Sequence, residues 1–295
     1  STRGYVWCDP AAISDERALM TAKHPKNKGF RSVSLFWLIP NMLTVAGLVS
    51  GLTALKFALD GRWAGVIVLV ALAAVFDALD GRTARRFKTS SAFGAALDSL
   101  SDLVVFGVVP ALCLYLWALQ DSGRVAWWAT LFYAVSIALR LARFDSELPN
   151  PPEYAKDYFT GIPAPASGFL VLMPICVELE FQLGFVREPA YVSAWLVLIG
   201  AGAVSAIPTF AGKRLKLPVS TVLPVLALIG LLMAGLVTQP WITYLVITTL
   251  YAASIPIAVI RFYRARAGES VAALSSGGLR AHARYVAVNL ANGRT

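Results

Sequence analysis

Apolar runs of about twenty residues recur along the whole chain, and this feature limits its fold more than any other. A helix needs about 20 residues to cross the hydrocarbon core of a bilayer. With 57% hydrophobic and only 15% charged residues, the composition is typical of an integral membrane protein. We therefore predict an all-α, polytopic membrane helical bundle of eight spans, of which the fifth is the shortest: 36–59, 62–80, 94–119, 125–144, 163–179, 190–208, 219–238 and 240–260.

The basic residues predict the orientation. With both termini in the cytoplasm, all but four of the 26 Lys and Arg residues lie on the cytoplasmic side, as the positive-inside rule requires. The net charge of +9 then reflects topology and attraction to anionic lipids, and we expect no nucleic-acid partner. We expect a bacterial or archaeal cell (inner) membrane protein with three parts. These are a basic cytoplasmic tail at 1–34, compatible with a surface helix or a disordered segment, a transmembrane domain at 35–263 and a cytoplasmic tail at 264–295.

Four aspartates stand together where the second and third spans meet, within the segment DALDGRTARRFKTSSAFGAALDSLSD. Asp77 and Asp80 are spaced i, i+3, and Asp98 and Asp102 are spaced i, i+4, so each pair shares one helix face. The two helices are antiparallel neighbours joined by a loop at 81–93. The two pairs can therefore face each other across one pocket at the cytoplasmic edge of the membrane.

Clustered carboxylates next to a bilayer need a compensating partner, because each costs roughly 2.5–3.5 kcal/mol at the centre of a membrane helix. One or two divalent cations would relieve their repulsion. An all-oxygen ligand set favours magnesium, manganese or calcium over zinc, and two such ions suit a phosphoryl-group displacement. The alternative is that these aspartates are solvated charges at helix ends.

Small and basic residues of the same segment suggest a phosphate-bearing ligand. Gly81 and Gly94 allow a bulky ligand to approach the backbone, and the small side chain of Ala84 leaves space on its helix face. The guanidinium of Arg85 suits bidentate contact with a phosphate. The only two histidines, His24 and His282, lie in the tails, so a general base in this pocket would have to be a carboxylate.

The pattern Asp77-x2-Asp80-Gly81-x2-Ala84-Arg85-x8-Gly94-x3-Asp98-x3-Asp102 resembles the signature of the CDP-alcohol phosphatidyltransferase family. Members are membrane enzymes, usually homodimers, that transfer a phosphatidyl or related group from a CDP-linked lipid or alcohol to an acceptor hydroxyl and release CMP. The resemblance implies a six-span core, here with two further spans. It implies that Asp77, Asp80, Asp98 and Asp102 bind Mg²⁺ or Mn²⁺, two ions per active site, and that Asp102 is the general base. It also implies a set of CDP-lipid contacts, which includes a Pro-Asn-x-x-Thr element in span one: Pro40, Asn41, Thr44, Gly81, Ala84, Arg85, Ser91 and Gly94.

The acceptor is indicated by three further segments, 138–144, 159–166 and 207–216, which resemble the phosphatidylserine synthase branch of the family. This resemblance implies transfer of the phosphatidyl group from CDP-diacylglycerol to L-serine, giving phosphatidylserine and CMP. Arg140 and Arg143, spaced i, i+3 at the end of span four, could clamp the serine carboxylate, and Asp145 could meet its ammonium. Alternatively, both arginines are ordinary positive-inside flanks.

Two other functions stay open at this point. One keeps the reaction and changes the acceptor to glycerol 3-phosphate, inositol, inositol phosphate or choline, since the basic residues near span four would also suit a phosphorylated acceptor. The other is a divalent-cation transporter, which would place its carboxylates near the bilayer midplane on discontinuous helices.

Overall fold

A computed structural model of the chain describes residues 35–87, 91–146, 158–210 and 221–264. The chain divides into two compact units, residues 1–38 and residues 39–295. Of the first unit only residues 35–38 are described, and they form the start of the first helix. The expectations for the two tails, for Lys88 and for the basic segment 213–216 fall outside these ranges.

The described residues form eight helices and one short antiparallel ribbon. The helices are α1 (Leu35–Leu59), α2 (Trp63–Phe87), α3 (Ala92–Leu119), α4 (Gly123–Ser146), α5 (Ala164–Phe181), α6 (Pro189–Val204), α7 (Val222–Thr238) and α8 (Pro240–Arg264). A 3₁₀ turn, Gly184–Arg187, lies between α5 and α6. The ribbon consists of β1 (Tyr158–Thr160) and β2 (Pro208–Phe210).

Six of these helices are long and apolar enough to cross a membrane, and α6 and α7 are shorter apolar helices of 16 and 17 residues. The predicted polytopic helical bundle is therefore confirmed, while the cytoplasmic placement of both termini stays a prediction. The expectation that the fifth run is the shortest was wrong, because α5 has 18 residues. The sixth is shorter because its helix ends at Val204, after which the backbone of Ser205 is extended.

The second helix continues well past the apolar run that predicted it. The prediction ended this span at residue 80 and placed a loop at 81–93, but α2 extends to Phe87 and α3 already begins at Ala92. Alanine and arginine are strong helix formers, so the polar sequence after Gly81 continues the helix beyond the apolar layer. Asp77, Gly81 and Ala84 consequently follow one another along a single helix face.

The third helix contains two π-helical parts. Its α-helical parts, Ala92–Asp102 and Val109–Leu114, alternate with π-helical parts, Leu103–Val108 and Tyr115–Leu119. Its first turn is capped by Ser91, whose hydroxyl oxygen accepts a hydrogen bond from the Gly94 N–H at 3.0 Å. The first π-helical part, called here the π turn, begins directly after Asp102.

The ribbon connects the chain before α5 to the chain after α6, with Phe159 opposite Thr209. Gly161 follows β1 with a φ of 77°, and a Cβ there would lie 2.3 Å from the Ala203 carbonyl oxygen. Only glycine fits this position. The Thr209 hydroxyl donates to the Gly161 carbonyl at 2.8 Å, which fixes the corner.

The buried core lies beneath the aspartates. The helix α4 packs along α6, and α5 packs against the π turn. The largest fully buried side chains include Phe106, Tyr133 and Ile137. By contrast, α7 has no buried side chain and presents apolar residues on all sides, as expected of a helix at the lipid-facing edge of a bundle.

Candidate active site

Three of the four aspartates converge where α2 faces α3. One carboxylate oxygen from each of Asp77, Asp98 and Asp102 lies within 4.8 Å of the other two. Negative charges this close repel one another strongly where water is scarce. Oxygen ligands of this kind are those that hard divalent cations prefer. The residues therefore fit a metal site.

The fourth aspartate, Asp80, is oriented by the first helix. Its side chain is only 4% exposed, and its Oδ2 accepts a hydrogen bond from the Thr44 hydroxyl at 2.6 Å. The Thr44 carbonyl accepts a hydrogen bond from the Ser101 hydroxyl at 3.5 Å. Thr44 therefore links α1 to both helices that carry the aspartates. All four aspartates line one small cavity, so the two pairs face each other across one pocket as predicted.

A larger cavity of about 220 Å³ lies beside the aspartates, and Asp80 and Asp98 belong to both cavities. We call it the donor cavity. Every residue predicted to contact the CDP-linked lipid lines it: Pro40, Asn41, Thr44, Gly81, Ala84, Arg85, Ser91 and Gly94. The sequence thus grouped these residues correctly in space, and their contact with a ligand stays a prediction. Ala95 also lines the cavity, one helical turn from Ser91, and was missed because it is not one of the signature positions.

The two glycines of the donor cavity make room for specific neighbours. A Cβ at Gly94 would lie 3.0 Å from the Asn41 Oδ1 and 3.2 Å from the Ser91 Oγ. A Cβ at Gly81 would lie 3.5 Å from Nη1 of Arg85, so the guanidinium lies over this glycine at the cavity wall. The donor cavity therefore combines an open backbone surface with one cationic group.

The two arginines predicted to bind the acceptor have different environments. Arg140 is buried, with 9% of its surface exposed, whereas Arg143 is exposed and its Nη1 lies 3.5 Å from the Ser205 carbonyl oxygen. Among the residues that the structure describes, neither arginine lines the donor cavity or the aspartate cavity. Their role toward an acceptor stays a prediction.

A fifth carboxylate does lie close to the cluster. The Ser99 hydroxyl donates to Oδ2 of Asp145 at 3.0 Å, which brings the end of α4 against α3 one residue from Asp98. The sequence suggested a role for Asp145 but no partner. Ser99 lies 46 residues away along the chain, and no local pattern connects the two.

Comparison with known proteins identifies the class. The family model described as CDP-alcohol phosphatidyltransferase matches residues 37–204, and a second model, CDP-alcohol phosphatidyltransferase 2, matches residues 221–256. The chain belongs to the CDP-alcohol phosphatidyltransferase family, and its aspartates and donor cavity lie within the first match.

Curated relatives share one name, CDP-diacylglycerol–serine O-phosphatidyltransferase. The protein of that name from Mycobacterium tuberculosis is 36% identical over 79% of this chain and 82% of its own length. The one from Mycobacterium leprae is 34% identical over 78% of this chain and 76% of its own length. Among solved structures, Mycobacterium tuberculosis phosphatidylinositol phosphate synthase with CDP-DAG bound is 22% identical, covering 65% of this chain and 86% of that chain, with a TM-score of 0.41.

Proposed function

We propose that this protein transfers the phosphatidyl group of CDP-diacylglycerol to the hydroxyl of L-serine, giving phosphatidylserine and CMP. The observation that carries the proposal is the pair of adjoining cavities, one lined by four aspartates and the other by Arg85 and small residues. The choice of donor and acceptor is supported by the relatives at 34–36% identity, whose names specify CDP-diacylglycerol and serine.

The donor cavity suits the polar part of CDP-diacylglycerol. Arg85 binds a phosphate of the pyrophosphate, since its guanidinium lies at the wall of the cavity. Gly81 and Gly94 leave the backbone accessible, and Asn41 and the Ser91 hydroxyl offer hydrogen-bonding groups beside Gly94. The small side chains admit the bulky nucleotide, and the polar ones fix its orientation.

The aspartates would hold Mg²⁺ or Mn²⁺, two ions per active site, with Asp77, Asp98 and Asp102 as one ligand group and Asp80 on the same cavity. Such cations would supply positive charge between the aspartates and the pyrophosphate oxygens, because these two negatively charged groups would repel each other without a cation. Thr44 keeps the Asp80 carboxylate in place through its 2.6 Å hydrogen bond.

In the reaction, the serine hydroxyl oxygen attacks the β-phosphorus, which carries the diacylglycerol. The bond between that phosphorus and the bridging oxygen breaks, and CMP leaves with this oxygen. Asp102 takes the hydroxyl proton, because a carboxylate is the basic group that this cavity offers. Positioning and electrostatic stabilisation supply most of the acceleration in phosphoryl transfer.

On the acceptor side, Arg140 and Arg143 bind the serine carboxylate, and Asp145 binds its ammonium. The hydrogen bond between Ser99 and Asp145 supports this placement, since it brings the charged C-terminal end of α4 beside Asp98. The protein acts as a homodimer in a bacterial or archaeal cell membrane, with the aspartates at its cytoplasmic face. The predominance of basic residues on that side supports the orientation.

The decisive experiment supplies purified protein with CDP-diacylglycerol and Mg²⁺ or Mn²⁺ and compares acceptors by CMP release. L-Serine should support turnover, while glycerol 3-phosphate, inositol, inositol phosphate and choline should not exceed the rate without an acceptor. Release with one of these and none with serine would overturn the serine assignment and keep the family reaction. A chelator should abolish CMP release, and unchanged turnover would contradict the metal site.

A further inference from the structure

The backbone of α3 lacks a hydrogen-bond donor just beyond the aspartates. Pro110 lies at the start of the α-helical part that follows the π turn, and proline has no N–H. In an α-helix the N–H of residue 110 would bond to the carbonyl of residue 106. The preceding N–H, that of Val109, bonds instead to the Val104 carbonyl, five residues back. The carbonyl of Phe106 therefore loses its α-helical donor.

A buried tyrosine of α4 supplies a donor to this carbonyl. The Tyr133 hydroxyl donates to the Phe106 carbonyl oxygen at 2.8 Å, and the Tyr133 side chain is fully buried. An unsatisfied buried carbonyl costs about 1–3 kcal/mol, so this hydrogen bond compensates for the proline. The tyrosine lies 27 residues from its acceptor, which makes the contact a tertiary one.

The π turn controls the direction in which the aspartates point. Successive residues of a helix are rotated by about 100°, so the extra residue of a π turn changes the register between the two parts it joins. The part before the π turn carries Asp98 and Asp102, and the part after it is anchored in the core. Phe106 itself lines the aspartate cavity. The same residue thus belongs to the site and accepts the bond from Tyr133.

Neighbouring helices enclose the π turn closely. A Cβ at Gly51 of α1 would lie 2.8 Å from Cγ2 of Val105, and one at Gly168 of α5 would lie 3.2 Å from the Phe106 Cα. The backbones of α1 and α5 therefore approach the turn closely, and the Tyr133 hydroxyl of α4 makes a polar contact with it. Packing holds the turn in place, and the hydrogen bond fixes the rotation of its peptide.

We propose that Tyr133 is a positioning residue for metal binding: by donating to the Phe106 carbonyl, it holds the π turn in the register that brings Asp98 and Asp102 together with Asp77. This inference rests on the proposed metal site. Tyr133 does not touch the metal or the substrate, and it acts through the backbone of α3.

The test compares two tyrosine-to-phenylalanine variants in direct Mn²⁺ binding. Tyr244 is a matched control, because it is also buried and its hydroxyl donates to a backbone carbonyl, that of Phe169, at 2.6 Å. Mn²⁺ binding to purified protein without substrates is measured by the loss of the free-ion electron paramagnetic resonance signal. Tyr133→Phe should weaken binding roughly tenfold, as loss of an orienting partner typically does. Tyr244→Phe should leave binding within about twofold of the wild type.

The outcomes separate the inference from the function on which it rests. If neither the wild type nor Tyr244→Phe binds Mn²⁺, the proposed metal site fails. If the wild type binds and Tyr133→Phe binds equally well, the positioning role alone is overturned. A second comparison uses the Pro110→Ala background, in which the N–H of residue 110 can again bond to the Phe106 carbonyl. The Tyr133→Phe substitution is then also measured in this background, which keeps the test available if Tyr133→Phe alone does not fold. In that background the Tyr133→Phe effect should shrink to about twofold, and a persistent tenfold loss would contradict the proposal.

Discussion

The proposed donor side and the proposed acceptor side of the site are built in different ways. The donor side comprises the aspartates and the donor cavity, on α1, α2 and the first turns of α3, and its residues line two adjoining cavities. The acceptor side comprises Arg140, Arg143 and Asp145 at the end of α4, where one arginine is buried and the other exposed. The residues of the donor side therefore already surround two cavities in this structure, while the acceptor side is joined to the donor side through the hydrogen bond between Ser99 and Asp145. We expect changes on the donor side to cost much more activity.

The largest effect should follow removal of the proposed base. Asp102→Asn keeps the shape of the side chain and removes its ability to take a proton, so turnover of serine should fall roughly 10²–10⁴-fold. Asp121→Asn, in the exposed turn two residues beyond the far end of α3, is the control and should leave turnover unchanged. CMP release by both variants measures this, and near-normal turnover by Asp102→Asn would remove Asp102 from the base role.

A smaller effect should follow loss of the bond that orients Asp80. Thr44→Val removes the hydroxyl that donates to Asp80, and metal affinity should fall roughly tenfold. Thr53→Val is a control on the same helix, because the Thr53 hydroxyl donates to the carbonyl of Val49 within α1. Mn²⁺ titration in the absence of lipid measures the affinity for the metal without CDP-diacylglycerol. Equal affinities of the two variants would argue against an orienting role for Thr44.

Gly94 tests whether the donor cavity receives the nucleotide lipid. Gly94→Ala places a Cβ 3.0 Å from the Asn41 Oδ1, and overpacking of this kind costs on the order of 1–3 kcal/mol. The KM for CDP-diacylglycerol should rise roughly fivefold, as the lower end of that range gives at about 1.4 kcal/mol per factor of ten, with the KM for serine unchanged. Gly230→Ala, where no heavy atom lies within 4 Å, should change neither KM. An increase confined to the serine KM would move Gly94 to the acceptor side.

The smallest effect is expected on the acceptor side. An exposed ion pair is worth about 0.2–1 kcal/mol, so Asp145→Asn should lower kcat/KM for serine roughly two- to fivefold. The acceptor 3-hydroxypropionate lacks the ammonium, and its kcat/KM should be the same with either residue at position 145. Equal losses for both acceptors would show that Asp145 acts on the aspartates through Asp98 and not on the ammonium.

Helix periodicity explains why the convergence of the aspartates could be predicted, whereas the residues of the donor cavity were implied by the family resemblance. Asp77, Asp80, Asp98 and Asp102 lie on two consecutive helices, and i, i+3 and i, i+4 spacings place side chains on one face without knowledge of the rest of the fold. The apolar runs predicted the helices for a similar reason. A bilayer sets their minimum length.

The features that escaped prediction depend on contacts distant in sequence or on helix irregularity. The polar end of α2 continues to Phe87, which a hydropathy pattern cannot indicate because the helix there has left the apolar layer. The π turn does not change the hydrophobic pattern of the sequence in a recognisable way, and Pro110 is a local feature that accompanies it. The bonds from Tyr133 and Ser99 each join residues of different helices, so no spacing rule predicts them.

The length of α3 determines how deep in the bilayer the chemistry takes place. Its 28 residues would span about 42 Å at the α-helical rise of 1.5 Å per residue, and its π-helical parts make it somewhat shorter, against about 30 Å of hydrocarbon. With Leu119 taken as one boundary of the hydrocarbon, about 20 residues reach back to residue 100, so Asp98 would lie near the other boundary, next to the headgroups. A lipid can thus present its pyrophosphate to the aspartates while its acyl chains stay among those of its neighbours. Catalysis at this height avoids the cost of lifting a two-tailed substrate out of the membrane.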